Sequence, residues 1–169
     1  MGILNSLRVM TTAYLMCEDS VLLMERSPHR GFLPGVWSGV GGHVEPGEYG
    51  DLKSACLREI EEETGFRRND VHTLRLGYVL LRQRHHELRQ QFVYFGRVDT
   101  TQIGITEEGT LCWVPQKNVL NYQMTDSNRM MLEHYFQNPG TDSVFVGAMH
   151  GEDVQAGIGW ATVSDWEEN

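Results

Sequence analysis

The sequence predicts a mixed α/β fold, a mixed β-sheet flanked by helices. Short apolar runs bounded by turn residues recur along the chain and read as strands. Two longer stretches carry helical start and stop signals. Many strands follow one another closely enough to pair as hairpins, so the helices cover a mixed sheet rather than alternate with parallel strands. With 169 residues and no internal repeat or low-complexity linker, the chain suits one domain over 1–169 with a sizeable core.

The elements follow in order. Arg8 to Met16 and Val21 to Glu25 are expected strands around a turn at Glu18, Asp19 and Ser20. Pro28, Gly31, Pro34 and Gly35 mark the next stretch as a loop. Trp37 to Val44 (WSGVGGHV) reads as a short glycine-rich strand that ends in the loop Glu45 to Glu48. Asp51 is a suitable N-cap for a helix to about Thr64, with Gly65 as its stop. Thr73 to Arg84 and Gln90 to Val98 form an expected hairpin with His85, His86, Glu87 and Leu88 at its tip. Leu111 to Val114 is another strand, and Asp126 to Phe136 a second helix with Met130, Met131 and Leu132 partly inward. Val144 to Met149 and Gly157 to Val163 are expected to pair around Gly151, Glu152 and Asp153 as a terminal hairpin.

A net charge of −9 and a pI near 5.2 argue against binding nucleic-acid polymers, which asks for a basic face. They leave room for a small phosphorylated partner, because a bound cation can neutralise both sides locally. Cys17, Cys56 and Cys112 are widely spaced and odd in number. They suggest buried small hydrophobes in a reducing, cytoplasmic setting rather than a disulfide framework. Glu18 and Asp19 interrupt the first hydrophobic run, so neither a signal peptide nor a membrane span is expected.

The most informative stretch is REIEEETG, residues 58–65, with four glutamates in five positions. Negative charge near a helix C-terminus opposes the helix dipole. On a wheel turning about 100° per residue, Glu62 and Glu63 flank Glu59 within roughly a 100° arc, and Leu52, Ala55 and Cys56 lie in or beside it. The stripe is therefore apolar early and acidic late. Carboxylates at i, i+3 and i+4 share one surface spot, and a hard divalent cation would relieve their repulsion. An ordinary charged helix with an Arg58–Glu62 pair is the alternative for the helix taken alone.

Upstream stand Gly39, Gly41 and Gly42, which allow close backbone approach or conformations other residues avoid. Gly42, Glu48 and the run from Arg58 to Phe66 together resemble the Nudix signature G-x5-E-x7-R-E-U-x-E-E-x-G-U, where U is bulky and apolar. Nine residues rather than seven separate Glu48 from Arg58. The extra pair is expected at Tyr49 and Gly50, ahead of the helix, which leaves the placement of Glu48 open.

The resemblance covers about residues 8–137, with a C-terminal extension from about 140 to 169. It implies an α/β/α sandwich that hydrolyses a nucleoside diphosphate linked to another group. It further implies Mg2+, with Mn2+ as substitute, on Glu59, Glu62, Glu63 and the Gly42 carbonyl. In this reading Glu59 orients or deprotonates water, Arg58 fixes its carboxylate, and Glu62 completes the catalytic set. Glu62→Gln is expected to lose most turnover while keeping or raising metal-free stability.

Substrate contacts are expected from Gly41 and His43, and more weakly from Trp37 and Glu108, with Glu107 alongside. Phe32 and Tyr14 are further stacking candidates, although core packing is the commoner use of such aromatics. The cluster Arg82, Arg84, His85, His86 and Arg89 reads as a solvated turn or an oligomer contact, or as a seat for terminal phosphates. Within the family, the layout around Ser27, Trp37 and the later Glu107 to Val114 segment looks most like nucleoside-triphosphate pyrophosphohydrolases, including those that clear 8-oxo-dGTP. ADP-ribose or a dinucleotide is the alternative substrate, and a catalytically inactive nucleotide sensor the alternative class. A homodimer through the terminal hairpin stays open.

Overall fold

The computed structural model describes residues 6–29, 34–84, 86–149 and 157–163. Its elements are β1 (Ser6–Cys17), β2 (Ser20–Arg26), β3 (Trp37–Ser38), α1 (Leu52–Thr64), β4 (His72–Arg84), β5 (Glu87–Arg97), β6 (Gly109–Pro115), α2 (Asp126–Gln137), β7 (Val144–Met149) and β8 (Ile158–Val163). The strands lie in the order β3-β2-β1-β5-β4-β7-β8, and β6 pairs with β2 off that path. β1 with β5 and β4 with β7 are parallel; the other pairs are antiparallel. The C-terminal strands thus extend the main sheet through β4, and they pair with each other as expected. The turn Gly151 to Asp153, like Phe32 and His85, lies outside the described residues.

Alternation along the strands sorts the core into two layers. On β1, Val9, Ala13, Leu15 and Cys17 face one side and pack with Ala55, Cys56, Leu57 and Ile60 of α1. Tyr14 and Met16 face the other side and pack with Met131 and Leu132 of α2. The result is an α/β/α sandwich. Asp51 caps α1 by accepting the Ser54 N–H at 3.0 Å, and Gly65 ends it in the left-handed region. The Gly104 N–H satisfies the Thr64 carbonyl at 2.7 Å. Thr125 caps α2 through the Asn128 N–H. Among the described residues, no helix is long and apolar enough to cross a membrane.

The glycine-rich segment differs most from expectation, because β3 spans only Trp37 and Ser38. β1 meets β2 only at its C-terminal end, while β6 runs along the whole of β2. The rest of that edge of β1 is taken by residues 40–44, through bridges Ala13–Val40 and Met10–His43. Thr11 N–H donates to the Gly42 carbonyl at 2.9 Å, and Val44 N–H to the Val9 carbonyl at 3.1 Å. At φ +143°, Gly41 sits so close to β1 that a Cβ would fall 2.2 Å from the Thr11 carbonyl oxygen. Neighbouring backbone thus requires glycine at this position.

Candidate active site

The three box glutamates of α1 are buried to very different degrees. Glu63 is 3% exposed, while the Glu59 and Glu62 side chains are 13% and 58% exposed. The helical wheel explains the order. The buried face of α1 is centred near Cys56 and Ile60; Glu63 falls within it, Glu59 at its rim and Glu62 on the solvent side.

Glu63 accepts the Gly41 N–H through Oε2 at 2.7 Å. Its Oε1 is buried without a hydrogen-bond partner among the described residues. Burial, with Glu108 and Glu59 nearby, pushes its pKa up to about 8, against the Gly41 N–H and Arg26. Burial also raises the pKa of Glu59, with Arg58 opposing. Gly42 lies directly against this carboxylate, since a Cβ there would fall 2.6 Å from Glu59 Oε2.

Arg58 organises the exposed side. It donates to Glu48 through two nitrogens at 2.8 and 2.9 Å, to Glu59 at 2.9 Å, to Glu62 at 3.1 Å and to the His43 carbonyl at 3.2 Å. The two-residue insertion therefore leaves Glu48 on Arg58. These bonds hold the Glu48 carboxyl down at about 2, with the Glu45 N–H contributing. One guanidinium serves three carboxylates here, and among the described residues none hydrogen-bonds to Glu63.

The expected convergence of Glu59, Glu62 and Glu63 is not what the structure shows. Among the described residues, no three His, Cys, Asp or Glu side chains gather as a metal-binding group. Arg58 draws Glu62 along the helix surface, leaving Glu59 and Glu63 on either side of the glycine turn. That pair still fits a hard dication. The donors are carboxylate oxygens, one is buried and unpartnered, and Glu108 lies within electrostatic reach of both. The Gly42 carbonyl already accepts the Thr11 N–H, so only its second lone pair remains for a ligand.

The other expected contacts are distributed unevenly. His43 is exposed, with its ring 3.4 Å from Arg8 Nη1. Partial desolvation of the ring, and then Arg8, lower its pKa. Trp37 packs edge-on to Tyr122 at 4.7 Å. Tyr14 is fully buried against Phe95, which removes it as a base-stacking residue. Glu107 is exposed, whereas Glu108 is half-buried and its carbonyl accepts the Ser27 N–H.

Beside Gly41 the α2 face of the sheet opens into a cavity of about 120 Å³. Its walls include Arg26, Arg82, Arg89, Gln91 and Asn128. Asn128 and Arg26 escaped the sequence reading. Asn128 carries no motif, and the one local hint was its place in the first turn of a capped helix.

Sheet, acidic helix and glycine turn together define an α/β/α sandwich with a cluster of acidic groups at one helix–loop junction. The NUDIX domain model matches residues 7–135, and the chain belongs to the Nudix family. The m7GpppN-mRNA hydrolase NUDT17 of Xenopus laevis is 49% identical over 60 residues, 36% of this chain and 20% of that protein. The nucleoside triphosphatase NudI of Escherichia coli is 38% identical over 58 residues, 34% of this chain and 40% of that protein. The aligned segments thus span well under half of either relative. Among solved structures, the mutator MutT protein from Bacillus halodurans superposes with a TM-score of 0.71 at 20% identity, covering 92% of this chain and 97% of that one. The MutT Nudix hydrolase from Burkholderia pseudomallei gives 0.61 at 25% identity, covering 75% and 96%.

Proposed function

We propose that this chain is a divalent-metal-dependent Nudix pyrophosphohydrolase that converts a nucleoside triphosphate to a monophosphate and pyrophosphate. The observation that carries the reading is Glu63, a buried carboxylate with one oxygen on the Gly41 N–H and the other unpartnered, beside a second half-buried carboxylate, Glu59. Such a pair is costly to ionise alone and is relieved by a dication. Glu59 and Glu63 would hold Mg2+ or Mn2+, with Glu108 within electrostatic reach of both. When bound, the ion supplies charge neutralisation at the phosphoryl oxygens and acidifies water.

The chain's own groups supply the rest. Arg58 fixes the Glu59 carboxylate, and burial makes that carboxylate a stronger base than a solvated one. Glu59 accordingly orients the attacking water and accepts its proton. Water adds to one phosphorus, the bridging P–O bond breaks, and pyrophosphate leaves. Arg26, which lines the cavity and acts electrostatically on Glu63, is placed to meet the phosphate charge.

The acidic chain favours a small nucleotide over a capped RNA, and NudI carries the name of a nucleoside triphosphatase. Product analysis across a nucleotide panel with Mg2+ tests the reading. Pyrophosphate plus a monophosphate is the expected outcome. AMP plus ribose 5-phosphate would indicate ADP-ribose instead, and no metal-dependent turnover would indicate a binding protein.

A further inference from the structure

A second cavity, of about 650 Å³, opens away from the acid site. Met16 lines it, roughly 16 Å along β1 from Thr11 at about 3.3 Å per residue. On α1 its wall is Lys53, roughly 15 Å along the helix from Glu63. The volume falls within the roughly 300–1,000 Å³ of sites that hold a whole small molecule. Neither the box glutamates nor the glycine turn contributes to its walls.

Backbone geometry makes this space. β7 pairs with β4 only from Tyr78 onward, so among the described residues no strand flanks residues 73–77 on that side. β4 is irregular there, with register shifts against β5 between His72 and Arg75 and between Leu76 and Tyr78. Thr73, which lines the cavity, sits at φ +52°. A β-branched residue in the left-handed region is an outlier, and such outliers and bulges collect beside binding sites.

The walls combine aromatic faces with positive charge. Phe95 and Tyr135 stack at 3.8 Å, and Tyr78 stacks on Phe145 at 5.4 Å. The charged lining is Lys53, Arg75, Arg97 and Asp142, a positive balance in a chain of net charge −9. Arg75 is engaged, donating to Asp142 and, at 2.6 Å, to the Thr141 carbonyl. Lys53 acts on Asp51. Arg97 is exposed, and among the described residues no carboxylate lies within salt-bridge distance of it. Its charge is felt at the Tyr135 hydroxyl, beside the aromatic wall. One such guanidinium matches the single charge and planar oxygens of a carboxylate better than a phosphate dianion. We propose that this cavity is a second ligand site for a small planar ring carrying a carboxylate, with Arg97 meeting the carboxylate and Phe95, Tyr135 and Tyr78 meeting the ring.

Amide-detected NMR titration of the full, metal-free chain with 2-naphthoate, 2-naphthamide and acetate tests this. Naphthoate should saturate with a Kd of about 1 mM or tighter, shifting the Gly77 and Gly96 amides and leaving those of Gly41 and Gly42 in place. Naphthamide, the ring without the charge, should bind about fivefold more weakly, and acetate, the charge without the ring, should not saturate. Arg97→Gln, with a thermal melt to confirm folding, should remove the preference for naphthoate and leave naphthamide unchanged. Absent saturation by naphthoate, equal affinity for naphthoate and naphthamide, shifts centred on Gly41 and Gly42, or a preference that survives in folded Arg97→Gln would each overturn the proposal. None of these outcomes bears on the hydrolase reading.

Discussion

The two faces of the sheet end in opposite chemistry. On the α1 face, the apolar stripe of the helix passes through Ala55, Cys56 and Ile60 and finishes in Glu59 and Glu63. On the α2 face, the aromatic layer around Tyr14 and Tyr78 gives way to Thr12 and Gln91, then to Arg82 and Arg89. The glycine segment pinned along β1 reaches both. The sheet keeps the two charge types apart, so they do not simply pair with each other.

The sharpest way to break the acidic half is Glu59→Gln. It keeps shape and removes the base, so turnover should fall about 10²- to 10⁴-fold in a pyrophosphate-release assay. Retention of most activity would remove Glu59 from the mechanism. Breaking the link between the halves comes next. Gly41→Ala places a methyl against the Thr11 carbonyl and forces a residue other than glycine to φ +143°, so chemical denaturation should show a loss of about 2–4 kcal/mol. An unperturbed Cm would refute the close packing.

A smaller effect separates the buried acid from its neighbours. The folded pKa of Glu63, about 8, lies above its unfolded value. Its favourable contribution is complete below the unfolded pKa and is lost as pH rises through about 8. Metal-free Glu63→Gln should therefore melt several degrees above the parent at pH 9, with the gap closing towards pH 4. The structure moves the expected gain in metal-free stability from Glu62→Gln to this variant, because Glu62 is exposed and compensated by Arg58.

Glu48 should show the mildest effect and the opposite sign. Its folded pKa, about 2, is depressed by Arg58, so its stabilisation is full above the unfolded carboxylate pKa and fades as pH falls towards 2. Glu48→Gln should melt slightly below the parent at pH 6 and match it near pH 2.

Local rules made much of α1 readable from sequence. Asp51 and Gly65 set its ends through capping chemistry, and spacing put Glu59, Glu62 and Glu63 near one arc. The same wheel understated how differently the three are buried, because the depth of a position depends on what packs against it. The demand on Gly41 was only half legible: its residue type pointed to close approach or an unusual conformation, but the atom it must avoid, the Thr11 carbonyl, lies 30 residues earlier. The cavity beside Gly41 was not legible at all. Its walls come from separate strands and the first turn of α2, and no stretch of sequence contains two of its key side chains, Arg82 and Asn128, together.

The central claim is that a dication belongs between Glu59 and Glu63, and titrating Mn2+ into the metal-free protein at pH 7 in buffers of differing ionisation heat tests it most directly. The account predicts saturable binding with release of a proton, held by Glu63 until the ion displaces it, and binding should weaken at least tenfold in Glu63→Gln, about what loss of a supporting group at a metal site costs. Absence of saturable binding to the parent protein, or equal affinity in the variant, would contradict it.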